Sequence, residues 1–399
     1  MLIGIDAHNL EGERTGAGRY LFNLLKEWSF LCHSEAEGRR ILENENISFA
    51  SLKMTEGVKF ILYFKDEIPS DVPKSELFEC KLLKTRSTAK FTHWNLALSA
   101  AKDKVDILFC PAYVAPLFYQ GKIALTLHDI SYEARPEDFN WPSVTDKILL
   151  KWTSRQAAKK AVMIFTPSEF SRQEVIKYYG VAPDKIIVTP LAADDNLQYH
   201  SPDNGTVDTS KKLDKFGITG KFIFYVGSIF SRRHLPEVIA AFERLAKESD
   251  YQLLLGGKDY TDNKSVDKLA KEINTRLSRE AILRVDFIGN DELKLLYSAC
   301  AFFIWLSDYE GFGLPPLEAM SSGAPVITTD GSSLSEVAGE AALFIRDNSD
   351  IEEIYRAMHK LARDGILREE LIARGREQVS KFSWQDCARK TLDALIAIK

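Results

Sequence analysis

Two rounds of one pattern, a short apolar run followed by an amphipathic segment, leave this chain few architectures to choose from. In the first round the apolar runs are 2–6, 58–63, 106–110, 122–127, 162–165 and 186–188. Helical periodicity fills 19–28, 92–102 and 146–160, and Ser168 is a good N-cap for a further helix. The second round has apolar runs at 222–226, 252–255, 285–289, 301–306, 325–328 and 342–345, with helices over 235–248 and 292–299. Helices over 350–361, 366–381 and 384–398 close the chain. Runs that are apolar at successive positions suit strands covered on both faces, and helices between them make those strands parallel. The stretch 192–220, between the rounds, is the most polar and turn-rich, so the linker belongs there. The expected fold is α/β: two Rossmann-like, doubly wound parallel-sheet domains, 1–196 and 197–381, followed by a last helix over 382–399. Residues 32–56 are polar and aperiodic, and are expected to form an excursion with at most one short helix.

Composition removes several function classes. With 45% hydrophobic and 27% charged residues in 399, the chain has the balance of a soluble globular protein larger than one typical domain. A net charge of -5 gives no general reason to bind nucleic acid. The five cysteines (Cys32, Cys80, Cys110, Cys300, Cys387) are scattered and lack a C-x-x-C pair, which speaks against a disulfide framework and a cysteine-rich zinc site. No apolar stretch approaches the roughly 20 residues of a membrane span, and no signal pattern opens the chain, so a cytoplasmic, reducing location is expected.

Chemistry concentrates where a strand runs through a glycine loop into a helix. The run Asp308-Tyr309-Glu310-Gly311-Phe312-Gly313-Leu314-Pro315-Pro316-Leu317-Glu318 follows the apolar run 301–306 and leads into a helix expected to begin near Pro316. Unpaired amides and the positive end of a helix dipole favour a phosphate there. Glu310 and Glu318 flank that loop, and carboxylates beside an anion site suit the hydroxyls of a sugar or a ribose. Arg232 and Arg233, in the loop after run 222–226, would come close if the strand ends share one face. Their guanidinium groups suit phosphate, although a loop arginine pair also suits plain exposed surface.

The loop Gly16-Ala17-Gly18 follows the first strand, with Leu21 where a dinucleotide fingerprint would have its third glycine. It serves either close packing or close approach to a ligand. His128, at the carboxyl end of run 122–127, is either a hydrogen-bonded structural histidine or a catalytic one. Lys147, Lys151, Arg155 and Lys159 recur every fourth residue and share a helix face, while Ile148, Leu149 and Trp152 are placed elsewhere on it. That basic face is either solvated or in contact with an anionic membrane or a diphosphate-linked acceptor.

The block Glu310 to Glu318, with Gly323-Ala324-Pro325-Val326 and Ser335-Glu336-Val337-Ala338-Gly339, resembles the donor-site signature of family 4 retaining glycosyltransferases of the GT-B fold. Thr15-Gly16-Ala17-Gly18-Arg19-Tyr20 is similar to the N-terminal glycine loop of its mannosyl- and rhamnosyltransferase-like members. Thr126-Leu127-His128-Asp129, Ser168-Glu169-Phe170-Ser171, Tyr225-Val226-Gly227-Ser228 and Phe382-Ser383-Trp384 match as well, so the resemblance spans nearly the whole chain.

The resemblance implies two domains facing a cleft: an acceptor domain over 1–196, a donor domain over 197–381, and a helix over 382–399 that crosses back to the first domain. Glu310 would contact donor sugar hydroxyls, and Glu318 the ribose. Amides at Phe312, Gly313 and Leu314 would hold the diphosphate, with Gly227 and Ser228 also in the donor site. Arg232 and Arg233 would neutralise the leaving group, Arg233 standing where the family usually has lysine. His128 would sit beside the transferred sugar, and the loop Gly16, Ala17 and Gly18 would approach the diphosphate or the acceptor.

The activity implied is retaining transfer of a hexose from a nucleotide-diphosphate sugar to a glycan or lipid-linked acceptor in surface polysaccharide synthesis. GDP-mannose leads, with a rhamnose donor next; neither a cofactor nor a metal is expected. A nucleotide-sugar 2-epimerase of the same architecture, or a non-catalytic nucleotide-sugar-binding subunit, is the alternative. A glycosidase would use two carboxylates but needs no phosphate-type loop. Contact with the inner face of a membrane would run through Lys147, Lys151, Arg155 and Lys159.

Overall fold

The computed structural model describes all residues except Glu13, Thr15, 38–56, 139–142, 195–208 and 399, and for 31–37 and 209–211 the backbone alone. Most of the 32–56 excursion and much of the linker stretch therefore lie outside the described residues. The chain forms two compact units, Met1–Leu191 with Ser383–Lys399, and Ala192–Phe382.

The first unit is built on seven parallel strands: β1 (Leu2–Asp6), β2 (Lys59–Phe64), β3 (Phe78–Leu82), β4 (Ile107–Cys110), β5 (Ile123–Thr126), β6 (Met163–Thr166) and β7 (Ile186–Val188). They lie in the order β3-β2-β1-β4-β5-β6-β7. Winding therefore reverses between β1 and β4, whose register pairs Ile3 with Ile107. Strands β4 and β5 are buried along their whole length, as their uninterrupted apolar sequences require. Helix α1 (Gly16–Glu37) places Trp28 against Phe60 with parallel rings 5.2 Å apart. The Trp28 indole N–H donates to the Ala388 carbonyl at 2.9 Å, so the C-terminal helix Trp384–Ala397 is sewn to this unit. Helices α2 (Val144–Lys160) and α3 (Glu169–Tyr179) cover the later strands, α3 capped by the Ser168 hydroxyl.

The second unit has β8 (Phe222–Val226), β9 (Gln252–Gly256), β10 (Ile282–Val285), β11 (Phe302–Trp305), β12 (Val326–Thr329) and β13 (Ala342–Ile345), in the order β10-β9-β8-β11-β12-β13. Its longer helices are α4 (Leu235–Ala246), α5 (Ser265–Leu277), α6 (Asn290–Ala299), α7 (Leu314–Ser321), α8 (Ile351–Arg363) and α9 (Gly365–Val379), with short helices at Thr209–Asp214 and Leu334–Ala338. Here the reversal falls between β8 and β11. Open sheets of this kind bind ligands outside the carboxyl ends of the strands at such a reversal.

Several expectations needed correction. Strand β3 was not expected: its Phe-Glu-Cys-Lys-Leu sequence is largely polar because it is an edge strand. Strand β10 ends at Val285, where a run over 285–289 was expected; Phe287 is exposed and Gly289 is already the N-cap of α6. Helix α5 was missed although Val266, Ala270 and Ile273 mark its buried face. In place of a regular helix over 92–102, helix runs through Thr88–Lys90 and Ala97–Lys102 with a π-helical turn, Phe91–Leu96, between them. Helix α2 reverses the usual polarity: Thr153, Ser154, Ala157 and Ala158 are buried, while Val144, Ile148, Leu149 and Trp152 are 52–72% exposed.

Candidate functional site

In the second unit, the sequence after β8 turns sharply at Gly227 (φ 149°). A Cβ there would lie 2.7 Å from the Trp305 ring, and the Gly227 N–H donates to the Gly256 carbonyl at 3.0 Å. The chain passes exposed Ser228 and makes a 3₁₀ turn, Ser231–Arg233. Arg233 is buried, its guanidinium 4.1 Å above the Trp305 ring and ion-paired with Glu310. These two residues, expected to address different parts of one ligand, touch each other. Arg232 lies 4.8 Å over Phe230, itself stacked on Tyr260.

His234 follows in a left-handed conformation (φ 50°), unusual without glycine. Its Nε2 donates to Asp308 at 2.7 Å, and its Nδ1 lies 3.9 Å from Glu237. Burial pushes its pKa down, but the bonds to Asp308 and Glu237 outweigh that and raise it to about 9, so the ring is an imidazolium at neutral pH. Asp308 accepts a second bond from the Asn348 amide at 3.0 Å, and Asn348 accepts in turn from the Thr329 hydroxyl at 2.8 Å. The loop between β11 and α7 is thus fixed from β8, β12 and the segment after β13.

Helix α7 begins at Leu314, two residues before the expected start. Its cap, Gly313, has φ 101°, and a Cβ there would lie 2.7 Å from Leu334. Pro315 and Pro316 have no amide hydrogen, so the donors of this helix end gather at Phe312, Gly313 and Leu314. Glu318 is buried one turn further on and accepts from the Tyr297 hydroxyl at 3.2 Å. The junction brings two arginines, an imidazolium, two glutamates and a helix N-terminus together on one edge of this unit.

In the first unit, His128 lies beyond β5. Its Nε2 donates to the Pro111 carbonyl at 3.0 Å, and its ring stands edge-on to Tyr20 (4.9 Å) and near Tyr113 (6.1 Å). Burial lowers its pKa against smaller opposing effects of the Pro111 carbonyl and Asp129, so this ring is neutral. With Nε2–H committed to a carbonyl, Nδ1 is left as the acceptor. In the glycine loop, a Cβ on Gly18 would collide with the Asn9 carbonyl, whereas one on Gly16 would meet nothing within 4 Å. Close packing accounts for Gly18 and not for exposed Gly16; Ala17 is half-buried between them. Of the basic face, Arg155 is tied to Glu133 at 2.9 Å.

Sequence reasoning missed His234, Asp308, Asn348 and Trp305 in the second unit. His234 carried a signal, since it extends Arg232 and Arg233 to three adjacent cations; Asn348 carried none, being brought in only by the sheet order. Among the described residues no group of three or more His, Cys, Asp or Glu side chains is arranged to hold a metal ion.

Two family models match, "Glycosyltransferase Family 4" over residues 64–197 and "Glycosyl transferases group 1" over 208–378. The chain belongs to glycosyltransferase family 4. It is 29% identical over 401 residues to O-antigen chain mannosyltransferase B of Escherichia coli, covering 95% of each chain. Over 239 residues it is 31% identical to the serotype-specific mannosyltransferase WbdA of Escherichia coli, covering 59% of this chain and 29% of that one. Among solved structures, WaaG, a glycosyltransferase involved in lipopolysaccharide biosynthesis, superposes with TM-score 0.69 at 14% identity, covering 99% of both chains. Sucrose-phosphate synthase from Thermosynechococcus elongatus gives 0.70 at 16% identity, covering 99% of this chain and 98% of that one. These likenesses identify the fold as GT-B, and the family 4 chain is a glycosyltransferase.

Proposed function

We propose that the protein transfers mannose from GDP-mannose to a hydroxyl of a glycan or lipid-linked acceptor, with retention of anomeric configuration, in surface polysaccharide synthesis. The observation that carries this reading is the β11–α7 junction, with its amide donors, Arg232, Arg233 and Glu310, in a chain matched along 95% of its length by an O-antigen mannosyltransferase.

The bond from sugar C1 to the diphosphate oxygen breaks and a bond from C1 to the acceptor oxygen forms on the same face. The acceptor proton passes to the leaving phosphate, so no protein base is required. Charge growing on the leaving diphosphate is met by Arg232, Arg233 and the amides of Phe312, Gly313 and Leu314, which makes a divalent ion unnecessary. Glu310 exchanges its bond to Arg233 for donor sugar hydroxyls, and Glu318 reads the ribose. His128 offers a neutral Nδ1 acceptor to the sugar beside it. Gly227 and Ser228 lie under the donor, and Gly16 lets the loop with Ala17 and Gly18 approach the diphosphate.

The exposed Val144, Ile148, Leu149 and Trp152 of α2, flanked by Lys147, Lys151 and Lys159, suit an anionic membrane interface that presents a lipid-linked acceptor. Co-sedimentation with phosphatidylglycerol vesicles, abolished by Ile148→Glu with Trp152→Glu and absent with phosphatidylcholine, tests that part.

The decisive assay incubates the protein with GDP-mannose and mannosylated acceptors in EDTA and assigns the product anomer by NMR. An α-linked product is expected. Transfer only from a dTDP or UDP donor overturns the mannose assignment, recovery only with a divalent ion overturns the metal-free one, and an epimerised nucleotide sugar without glycoside favours the 2-epimerase.

A further inference from the structure

In the second unit, Asp308 holds both ends of the short segment that carries the arginines. Its N–H donates to the Arg232 carbonyl at 3.2 Å, and its carboxylate accepts from His234 Nε2 at 2.7 Å. Arg233 lies between these anchors, over the Trp305 ring and paired with Glu310. Asp308 is fixed in turn by the Asn348 amide, and Asn348 by the Thr329 hydroxyl. The same hydroxyl accepts from the Ser307 N–H at 2.9 Å, so β12 braces the loop immediately ahead of Asp308.

His234 does more here than the backbone requires. Its φ of 50° is one that glycine adopts freely, and it stands at the N-cap of α4 without making a side-chain cap bond. Glycine would satisfy that backbone alone. What the imidazole adds is reach, since it spans from the loop after β8 to the loop after β11, adjacent strands at the winding reversal of this sheet. The charged groups acting on it are Asp308, from the loop before α7, and Glu237, from α4. Arg232 and Arg233 adjoin it in the chain, and Glu310 is paired with Arg233. The two carboxylates hold the ring as a cation, so its bond to Asp308 is charge-assisted.

We propose that His234 is a positioning residue for transfer: by binding Asp308 it holds the turn so that Arg232 and Arg233 meet the diphosphate as it leaves. It acts through the arginines. Loss of its proton leaves a weaker bond to Asp308, and the arginines then meet the growing charge less well. The inference rests on the glycosyltransfer reading and adds a residue that governs the alkaline side of the rate profile.

The test is the transfer assay with saturating GDP-mannose, run from about pH 6.5 to about 10 on wild type, His234→Asn and Asp308→Asn. Circular dichroism at each pH checks the fold, and calorimetry gives the GDP affinity of each protein. Asparagine tolerates the left-handed backbone but is too short to make the bond. Wild type is expected to hold a level kcat to about pH 8 and to lose it as pH rises through about 9, where the imidazolium gives up its proton. His234→Asn should lack this limb and run roughly tenfold below wild type at neutral pH, with GDP affinity changed by less than about threefold. Asp308→Asn removes the largest of the effects that raise the pKa of His234, so its limb should move toward acid by about one pH unit or more. A merely structural histidine would lower the melting temperature and leave no limb to move.

No alkaline limb in folded wild type, a limb unmoved in Asp308→Asn, or a His234→Asn kcat within about twofold of wild type overturns the positioning role. If His234→Asn does not fold, the profiles of wild type and Asp308→Asn decide alone. The double variant Arg232→Ala with Arg233→Ala separates the two readings. Unchanged kcat in that variant overturns the role of the arginines, and with it the donor reading; a large loss there, with His234→Asn unaffected, overturns only the present inference.

Discussion

His128 and His234 lie in comparable places, each in the loop beyond an inner strand of a doubly wound sheet, and they hold opposite charge states. His128 is packed against aromatic rings and bonded to a carbonyl, and burial keeps it neutral. His234 is bonded to a carboxylate with a second one nearby, and stays protonated to about pH 9. The contrast extends to their surroundings. In the second unit the strand ends carry Arg232 and Arg233, groups fit to meet a diphosphate, with Glu310 and Asp308 paired to Arg233 and His234. In the first, the surroundings of His128 are tyrosines and the imidazole itself is neutral, groups fit to meet hydroxyls. One topology supports both because the sheet fixes only where the loops emerge.

The strongest way to break this contrast is Glu310→Ala, which should lower kcat roughly a hundredfold or more while GDP still binds. A turnover within twofold of wild type would remove the charge-centred account of the second unit. Glu318→Ala should instead raise the KM for the donor, visible in the same assay.

Next in size is pH. His234 has a folded pKa of about 9 against an ordinary 6.5, so its contribution, of the order of 3 kcal/mol, is complete below about pH 6.5 and lost as pH rises through 9. Melting curves of wild type should fall across that window, and His234→Asn, which tolerates the left-handed backbone, should flatten them. Equal slopes for both proteins would contradict the imidazolium.

Gly18→Ala should destabilise the first unit by about 1–3 kcal/mol in urea unfolding, because the Asn9 carbonyl cannot retreat without moving the turn at β1. Gly16→Ala should fall within about 0.5 kcal/mol of wild type. Equal effects would mean that the loop is held by something other than packing. The smallest effect is expected from His128, whose depressed pKa makes its contribution complete above about pH 6.5 and lost as pH falls below it. His128→Asn should therefore weaken the acid-side loss of stability, opposite in sign to the His234 experiment.

Much of this was legible in the chain. The α/β class, most strands and the motif from Glu310 to Glu318 could be read from apolar runs and residue types. What failed were segments whose signal is weak for a physical reason. The edge strand at Phe78–Leu82 has few apolar positions to display, and the buried side of α2 is made of small residues that leave no apolar stripe to read. The partnership of Asp308 with Asn348 spans 40 residues and no local pattern encodes it.

By itself, the sequence determined that parallel sheets would form twice and that glycine loops would stand at their ends, because burial on both faces and turns of unusual φ each demand particular residues. Only the tertiary structure decided that Arg233 would close on Glu310, that Gly18 rather than Gly16 would be the packing glycine, and that one loop histidine would be neutral and another charged. Those outcomes depend on distances of a few ångströms between segments far apart in the chain. Electrostatics and steric contact vary steeply over such distances, and residue order leaves them open.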